Sequence, residues 1–262
     1  MTFALADLYT VIGHYFWPGL RMLALFTAAP LFHEKQAGKK TKIALAALIT
    51  FLVAPQLPAS QVALFSLEGA WLGAKQLIIG IGIGLAMQFA FAAVRMAGEL
   101  MGLQMGLSFA SFFDPGAGQS APVLSRLFNT LALLLFLTFN GHLWLIALLV
   151  HSFEILPVNS APLARDGLLA LVQSAGIIFS AGLQLGMPVI TLLLAINLTL
   201  GLLNRLTPQL SIFVIGFPLT LTTGMLALSW LMSPLAPFFT QLAGQFFAQI
   251  DGLLMMFATP TD

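Results

Sequence analysis

Histidine and carboxylate side chains are the residues best suited to catalysis or metal binding in this 262-residue chain. His151 and Glu154 are spaced to share one face of a helix, and His142 follows Asn140 and Gly141. A zinc site needs at least three protein ligands, and this group is too small to supply them. HExxH and GxSxG motifs are absent from the sequence. We therefore predict no enzymatic activity, metal or cofactor, and a helix-anchoring role for His142.

Arg21 and Lys75 are cations within or beside long apolar stretches. A cation at the centre of a spanning helix costs about 2.5–3.5 kcal/mol on insertion scales. Neither residue has a partner close in sequence. We expect each to find a partner in a neighbouring subunit, or to lie in surroundings wetter than lipid.

The segment from residue 106 to residue 129 is rich in Gly, Pro and Ser, yet it lies between two stretches apolar enough to span a bilayer. Irregular backbone at membrane depth is tolerated only where protein covers it or where it lines a passage. The segment is therefore predicted to be a re-entrant or plugging element.

Aromatic side chains in this segment favour a gating role over a simple connection. An Asp-Pro-Gly sequence alone would make a tight turn, because Pro fixes φ and Gly permits positive φ. Three phenylalanines would be unusual on a water-facing turn, whereas a hydrophobic constriction that excludes water needs such side chains. The predicted plug residues are Phe109, Phe112, Phe113, Asp114, Pro115 and Gly116.

Two polar residues beyond the segment's apolar part are predicted to anchor the plug on the following helix. They are Arg126, which can pair with Asp114, and Asn129.

Glycines recur at four-residue spacing in three places, which puts them in rows along a helix. Such rows let another backbone approach closely where lipid gives no hydrophobic driving force. Packing within one bundle and packing against another subunit both fit this pattern. For Gly98, Gly102 and Gly106 we favour subunit packing, because that row leads directly into the irregular segment. The other rows are Gly80 with Gly84 and Gly182 with Gly186.

Composition places the chain among membrane proteins. Hydrophobic residues make up 59% of it and charged residues 7%, whereas soluble domains are about 25% charged. With a net charge of +1 and ten Lys and Arg, no basic face for nucleic acid can form. We predict an all-α, lipid-embedded protein with a terminal amphipathic helix in the last thirty residues. The predicted long apolar helices, about six, lie near residues 9–32, 43–57, 69–94, 123–150, 168–200 and 210–233.

A polar stretch with Pro and Gly near residues 157–167 divides this single domain into residues 1–160 and 161–262. The first portion would hold four helices and the second two. Basic residues in short loops place the lysines at 35–42 in the cytoplasm. The same rule puts Asn204 and Arg205 on the cytoplasmic side, where they would contact a partner or merely fix orientation.

Two blocks of sequence resemble a known family: SFASFFDPGAGQSAPVLSRLFNTLALLLFLTFNGHLWLI and GLLNRLTPQLSIFVIGFPLTLTTGM. Both are similar to the FliR family of integral export-gate proteins of the bacterial flagellar type III secretion apparatus. The resemblance covers essentially the whole chain, and the injectisome homologue of the SctT type is an alternative.

The resemblance implies a structural, pore-forming and gating subunit that passes unfolded flagellar proteins across the inner membrane within the flagellar basal body. It implies assembly with FliP and FliQ subunits, work with FlhB and FlhA, and a chain that joins a FliP-like portion to a FliQ-like portion. It also implies that residues 106–122 correspond to the family's plug and that Asn204 and Arg205 face FlhB. A stand-alone secondary transporter is the rival hypothesis, supported by Pro188 and Pro218 within apolar spans.

Overall fold

The computed structural model describes residues 5–33, 38–58, 62–107, 122–207 and 212–258. Every regular element within these ranges is a helix, which confirms the all-α class. A short 3₁₀ turn, Ala54–Gln56, follows α3. The helices are α1 (Leu5–Ala28), α2 (Pro30–His33), α3 (Lys39–Val53), α4 (Leu67–Gln104), α5 (Val123–Thr138), α6 (Gly141–Ile155), α7 (Arg165–Ser174), α8 (Ile177–Leu206) and α9 (Ile212–Ala258).

Three stretches of the described chain are long and apolar enough to cross a membrane: Leu67–Gln104, Arg165–Leu206 and Ile215–Ala258. A fourth is obtained if α5 and α6 together make one broken span. The predicted count of six long apolar helices is therefore not confirmed. Helix α3 has only 15 residues, about 22 Å at 1.5 Å per residue, and His14 and Arg21 lower the hydropathy of α1.

Helix α4 continues well beyond the predicted end near residue 94, through Arg95 and Glu99 to Gln104. The sequence predicts the boundary where the first charges appear. In the structure Arg95 donates from Nη1 to Oδ1 of Asn129 at 3.1 Å, so this charge has a polar partner and does not end the helix.

The predicted helix at 123–150 is two helices, α5 and α6, bent by 68°. Asn140 lies at the bend with φ 56° and ψ 26°, in the left-handed region that Asn tolerates better than most residues. The Asn-Gly pair at 140 and 141 thus sets the bend. Helix α9, by contrast, unites the predicted helix at 210–233 and the predicted terminal helix in one 47-residue element that runs through Pro218, Pro234 and Pro237.

The contacts divide the chain into two compact units. Unit 1 comprises residues 1–89, 140–175 and 244–262, and unit 2 comprises residues 90–139 and 176–243. The predicted portions 1–160 and 161–262 follow chain order instead, and they stay a prediction.

Unit 1 is built around the packing of α1 on α3 and on the first half of α4. The rings of Tyr15 and Phe51 stack with centroids 6.1 Å apart. The amide of Gln88 donates to the carbonyl of Ala28 at 2.6 Å. This contact supplies a partner to a carbonyl that α1 leaves unpaired at its C-terminus.

Unit 2 has an aromatic core centred on Phe91 of α4. Its ring meets those of Phe136 and Phe239 edge to face, with centroids 5.6 and 5.9 Å apart. All three side chains are at most 1% exposed, and each edge-to-face pair contributes roughly 0.5–1.5 kcal/mol beyond its buried area. The core fixes α4 against α9 and against α5, the helix that follows the predicted plug in sequence.

Candidate functional site

The predicted plug lies outside the described residues, which stop at residue 107 and resume at residue 122. Its six members, and with them the predicted ion pair between Asp114 and Arg126, therefore remain predictions. The structure does describe how the chain enters and leaves the plug segment.

Helix α4 ends in a hydrogen-bonded glycine cap. Gly106 has φ 79°, and its N–H donates to the carbonyl of Leu103 at 3.1 Å. The N–H of Leu107 donates to the carbonyl of Gly102 at 3.0 Å. These two bonds and a left-handed glycine define the Schellman motif, which ends a helix and turns the chain. Gly106 thus terminates α4, and its predicted part in subunit packing is untested.

Replacing Gly106 with Ala is expected to destabilise the protein by about 1–2 kcal/mol, because a Cβ atom in the left-handed conformation clashes with the backbone. Gly106→Asn is expected to lose less, since Asn tolerates this conformation. Thermal unfolding of the purified protein checks the order Gly, Asn, Ala. Equal stability of the Ala variant and the unaltered chain would contradict a left-handed cap.

The last turn of α4 is also held by the parts of α8 and α9 that lie in unit 2. Nδ2 of Asn197 lies 3.3 Å from Oε1 of Gln104. Met105 is fully buried, and a Cβ atom placed on Gly224 would lie 2.6 Å from its Cγ. The side chain of Met105 occupies the space that a side chain at position 224 would need. The point where the chain leaves α4 is therefore fixed by α8 and α9.

The chain returns to the same part of α4 where α5 begins. A Cβ atom on Gly98 would lie 2.8 Å from the carbonyl oxygen of Leu124 and 3.0 Å from Cα of Ser125. At Gly102 the nearest atom would be Cβ of Leu124, at 3.7 Å. The close approach that Gly98 permits is thus made within the chain. Packing of this row against another subunit remains a prediction.

Of the two predicted plug anchors, the structure gives a partner to Asn129. Its side-chain oxygen accepts the hydrogen bond from Arg95, which ties α5 to α4. Arg126 is exposed on the first turn of α5. Whether either residue holds the plug is untested.

The remaining glycine rows pack inside the chain. In unit 1, Gly80 and Gly84 let α4 approach α1, where added Cβ atoms would lie 2.7 and 2.6 Å from the Cβ atoms of Ala24 and Ala28. In unit 2, a Cβ atom on Gly182 would lie 2.8 Å from the carbonyl oxygen of Ala93. A Cβ atom on Gly186 would lie 2.9 Å from Cδ1 of Ile190 and 3.7 Å from Cα of Ala97.

Arg21 is satisfied within its own chain, which corrects the expectation of a partner in another subunit or of wetter surroundings. The residue is fully buried. Its Nε donates to Oε1 of Gln76 at 2.8 Å. Nη1 donates to the carbonyl and hydroxyl oxygens of Ser152 at 2.9 and 3.0 Å, and Nη2 donates to the carbonyl of Leu156 at 2.7 Å. The guanidinium also lies 4.0 Å from the centre of the Phe153 ring.

The same correction applies to Lys75, whose side chain is 2% exposed. Nζ donates to Oδ1 of Asn159 at 2.8 Å and to the carbonyl of Asn159 at 3.2 Å. A third bond goes to the carbonyl of Ala161 at 3.0 Å. The acceptors of both cations come mainly from one stretch of chain, which includes part of the polar boundary seen in the sequence.

Asn204 and Arg205 lie exposed in the last turn of α8. Thr207 caps this helix with φ −133° and ψ 77°, outside the α region that a following proline disfavours. The two polar residues are thus free of the core, as a contact role requires. A contact of these residues with a partner stays a prediction.

His151 and Glu154 do meet, with Nδ1 and Oε2 2.8 Å apart, and Asp251 lies 3.7 Å from Nε2. All three side chains are exposed to solvent or lipid. Within the described ranges, no cluster of His, Asp and Glu has the arrangement needed for a metal ion.

The prolines that support a transporter do not break their helices. Pro188 lies inside α8 and Pro218 inside α9, and both helices continue without interruption. The discontinuous helices that form transporter binding sites are therefore not found at these two positions.

Residues 12–246 match the family described as bacterial export proteins, family 1. The chain is 56% identical over 233 residues to the flagellar biosynthetic protein FliR of Escherichia coli, covering 89% of each chain. It is 50% identical to the protein of the same name from Pectobacterium carotovorum, with 97% of each chain covered. Against FliR of Bacillus subtilis the identity is 30%, over 82% of this chain and 84% of the relative. This apolar, all-helical membrane chain therefore belongs to the FliR family of flagellar export proteins.

Proposed function

We propose that the chain is a non-enzymatic, pore-forming and gating subunit of the bacterial flagellar type III export gate. Unfolded flagellar proteins would pass the inner membrane through a pore that it helps to line. The family membership supports a place in flagellar protein export. Within the basal body, FliP and FliQ are the proposed partners in the gate, and FlhB and FlhA are the proposed partners on its cytoplasmic side.

The gating role is supported by the end of α4 and the start of α5, the two helices on either side of residues 108–121 in sequence. Gly106 turns the chain out of α4, and Leu124 brings it back against Gly98 and Gly102 of the same helix. Along the axis of α4, Gly106 and the position that Leu124 contacts are thus about two helical turns apart or less. Residues 108–121 therefore start and end on one rigid support. From this support, Phe109, Phe112 and Phe113 are proposed to form a constriction.

Replacing Phe109, Phe112 and Phe113 together with Gly is expected to make the assembled gate leak ions and small solutes. Without large apolar side chains the constriction no longer excludes water, so the barrier to ions falls. Membrane conductance, or uptake of a small dye into cells that assemble the variant gate, measures the leak. Recovery of the purified complex shows that assembly persists.

Phe65→Gly provides a matched control, because Phe65 is 93% exposed and lies in a turn outside the long helices. This variant should stay as tight as the unaltered gate. Unchanged conductance of the triple variant, with the complex intact, would exclude a sealing role for the three phenylalanines.

A further inference from the structure

Two buried cations of unit 1 donate hydrogen bonds to the same short stretch of chain. Arg21 of α1 and Lys75 of α4 are far apart in sequence, yet six of their seven hydrogen bonds end on residues 152–161. Neither cation lies within ion-pair distance of a carboxylate in the described part of the chain. Neutral carbonyl, hydroxyl and amide oxygens accept all seven hydrogen bonds, and the ring of Phe153 adds a contact with the guanidinium of Arg21.

The C-terminus of α6 is suited to receive Arg21. The last carbonyls of a helix have no partner within it, and they carry the negative end of the helix dipole. Arg21 bonds the carbonyl of Leu156, the C-cap residue of α6. It also bonds the carbonyl of Ser152, which accepts from the N–H of Leu156 as well, at 2.9 Å. The cation thus takes the place of the glycine cap or the solvent that usually ends a helix.

Residues 156–164, which we name the strap, connect α6 to α7 and are fixed at three points. Arg21 holds Leu156, and Lys75 holds Asn159 and Ala161. At the far end the N–H of Ala164 donates to the carbonyl of Phe257 at 3.1 Å. Sequence alone marks this stretch as a polar boundary between two portions of the chain, yet it is hydrogen-bonded at several positions along its length.

We propose that Arg21 and Lys75 form a lock that holds the strap closed over the α1–α4 contact and so fixes where α7 begins. Each side depends on the other. Without the strap, two cations would remain in an apolar core with unpaired donors, at a desolvation cost that packing alone does not offset. Without the cations, the strap's carbonyls would lose their partners and the connection would open.

Lys75 is the better position for a test, because its three bonds all go to the strap. In Lys75→Met an apolar side chain of similar length replaces the ammonium, so packing changes little while the three bonds are lost. Amide hydrogen exchange of residues 158–161, in the purified full-length protein within its complex, is expected to rise by at least about tenfold. Hydrogen bonds to a charged group are strong enough for a change of this size.

Arg21→Met should act on the other end of the lock. Exchange is expected to rise at Phe153 to Leu156, in the last turn of α6, more than in the middle of that helix. Lys39→Met is a matched control, because Lys39 is an exposed lysine in the first turn of α3. It should leave exchange in the strap unchanged.

Asn159→Leu keeps the test decisive if Lys75→Met fails to assemble. Asn159 is exposed, so its replacement spares the core and removes only the 2.8 Å bond from Lys75. Exchange in the strap should still rise several-fold, while Asn159→Asp, which keeps the acceptor and adds a charge, should slow it. Unaltered strap exchange in Lys75→Met, or in Asn159→Leu where the first variant does not assemble, would overturn the lock.

Discussion

Charge reversal at Arg205 is expected to abolish flagellar protein export while the gate still assembles. Arg205 is exposed in the last turn of α8, so Arg205→Glu disturbs no core. An acidic residue at a helix C-terminus costs only about 0.3–1 kcal/mol. A charge pair across an interface is worth more, so export should fall by at least about tenfold if Arg205 contacts FlhB. Secretion of flagellar proteins and recovery of the complex are measured together.

The alternative, that Arg205 only fixes the orientation of the chain in the membrane, makes a different prediction. It expects failed insertion and no complex, rather than an assembled gate without export. Arg205→Lys is the control, because it keeps the positive charge and should keep most export. A photo-crosslinker at Asn204 should capture FlhB in the unaltered gate and lose it in Arg205→Glu. Normal export from a correctly assembled Arg205→Glu gate would exclude the contact.

Substituting Ala for Gly98 is expected to destabilise the protein by about 1–3 kcal/mol, the usual cost of overpacking. The added Cβ atom would lie 2.8 Å from the carbonyl oxygen of Leu124, and this backbone cannot move without shifting the start of α5. Since α5 leads out of the predicted plug, both the yield of complex and its thermal midpoint should fall.

Gly102→Ala is the matched control on the same helix. Its Cβ atom would meet Leu124 at 3.7 Å, an ordinary van der Waals contact. Ala is also favoured over Gly inside a helix by about 0.8–1.0 kcal/mol. The control should therefore be as stable as the unaltered chain, or more so. Equal losses from both substitutions would show that the close contact between Gly98 and Leu124 does not matter.

Hydropathy and residue spacing predict the class of the protein and most of its helices, because apolar runs must be helical where lipid or protein excludes water. They misplace the end of α4, because a charged residue such as Arg95 indicates the end of an apolar helix. The structure gives Arg95 a polar partner, Asn129, so the helix continues. They also miss the bend at Asn140, although the Asn-Gly pair is a signal that points to it.

The partners of buried charges are beyond the reach of local sequence. Arg21 and Ser152 are separated by 131 positions, and no spacing rule connects them. Four-residue glycine spacing predicts that another backbone comes close to α4, as one does at Gly98. The spacing does not tell whether that backbone belongs to the same chain or to another subunit. Gly106 continues the same row, yet its left-handed φ shows a second role that four-residue periodicity conceals.

The most direct test of the central claim is to purify the tagged chain from native membranes and identify what comes with it. A subunit of an export gate is expected to co-purify with FliP and FliQ in one stable complex, and not to persist alone. Recovery as a homogeneous monomer or homo-oligomer that transports a small solute would contradict the account.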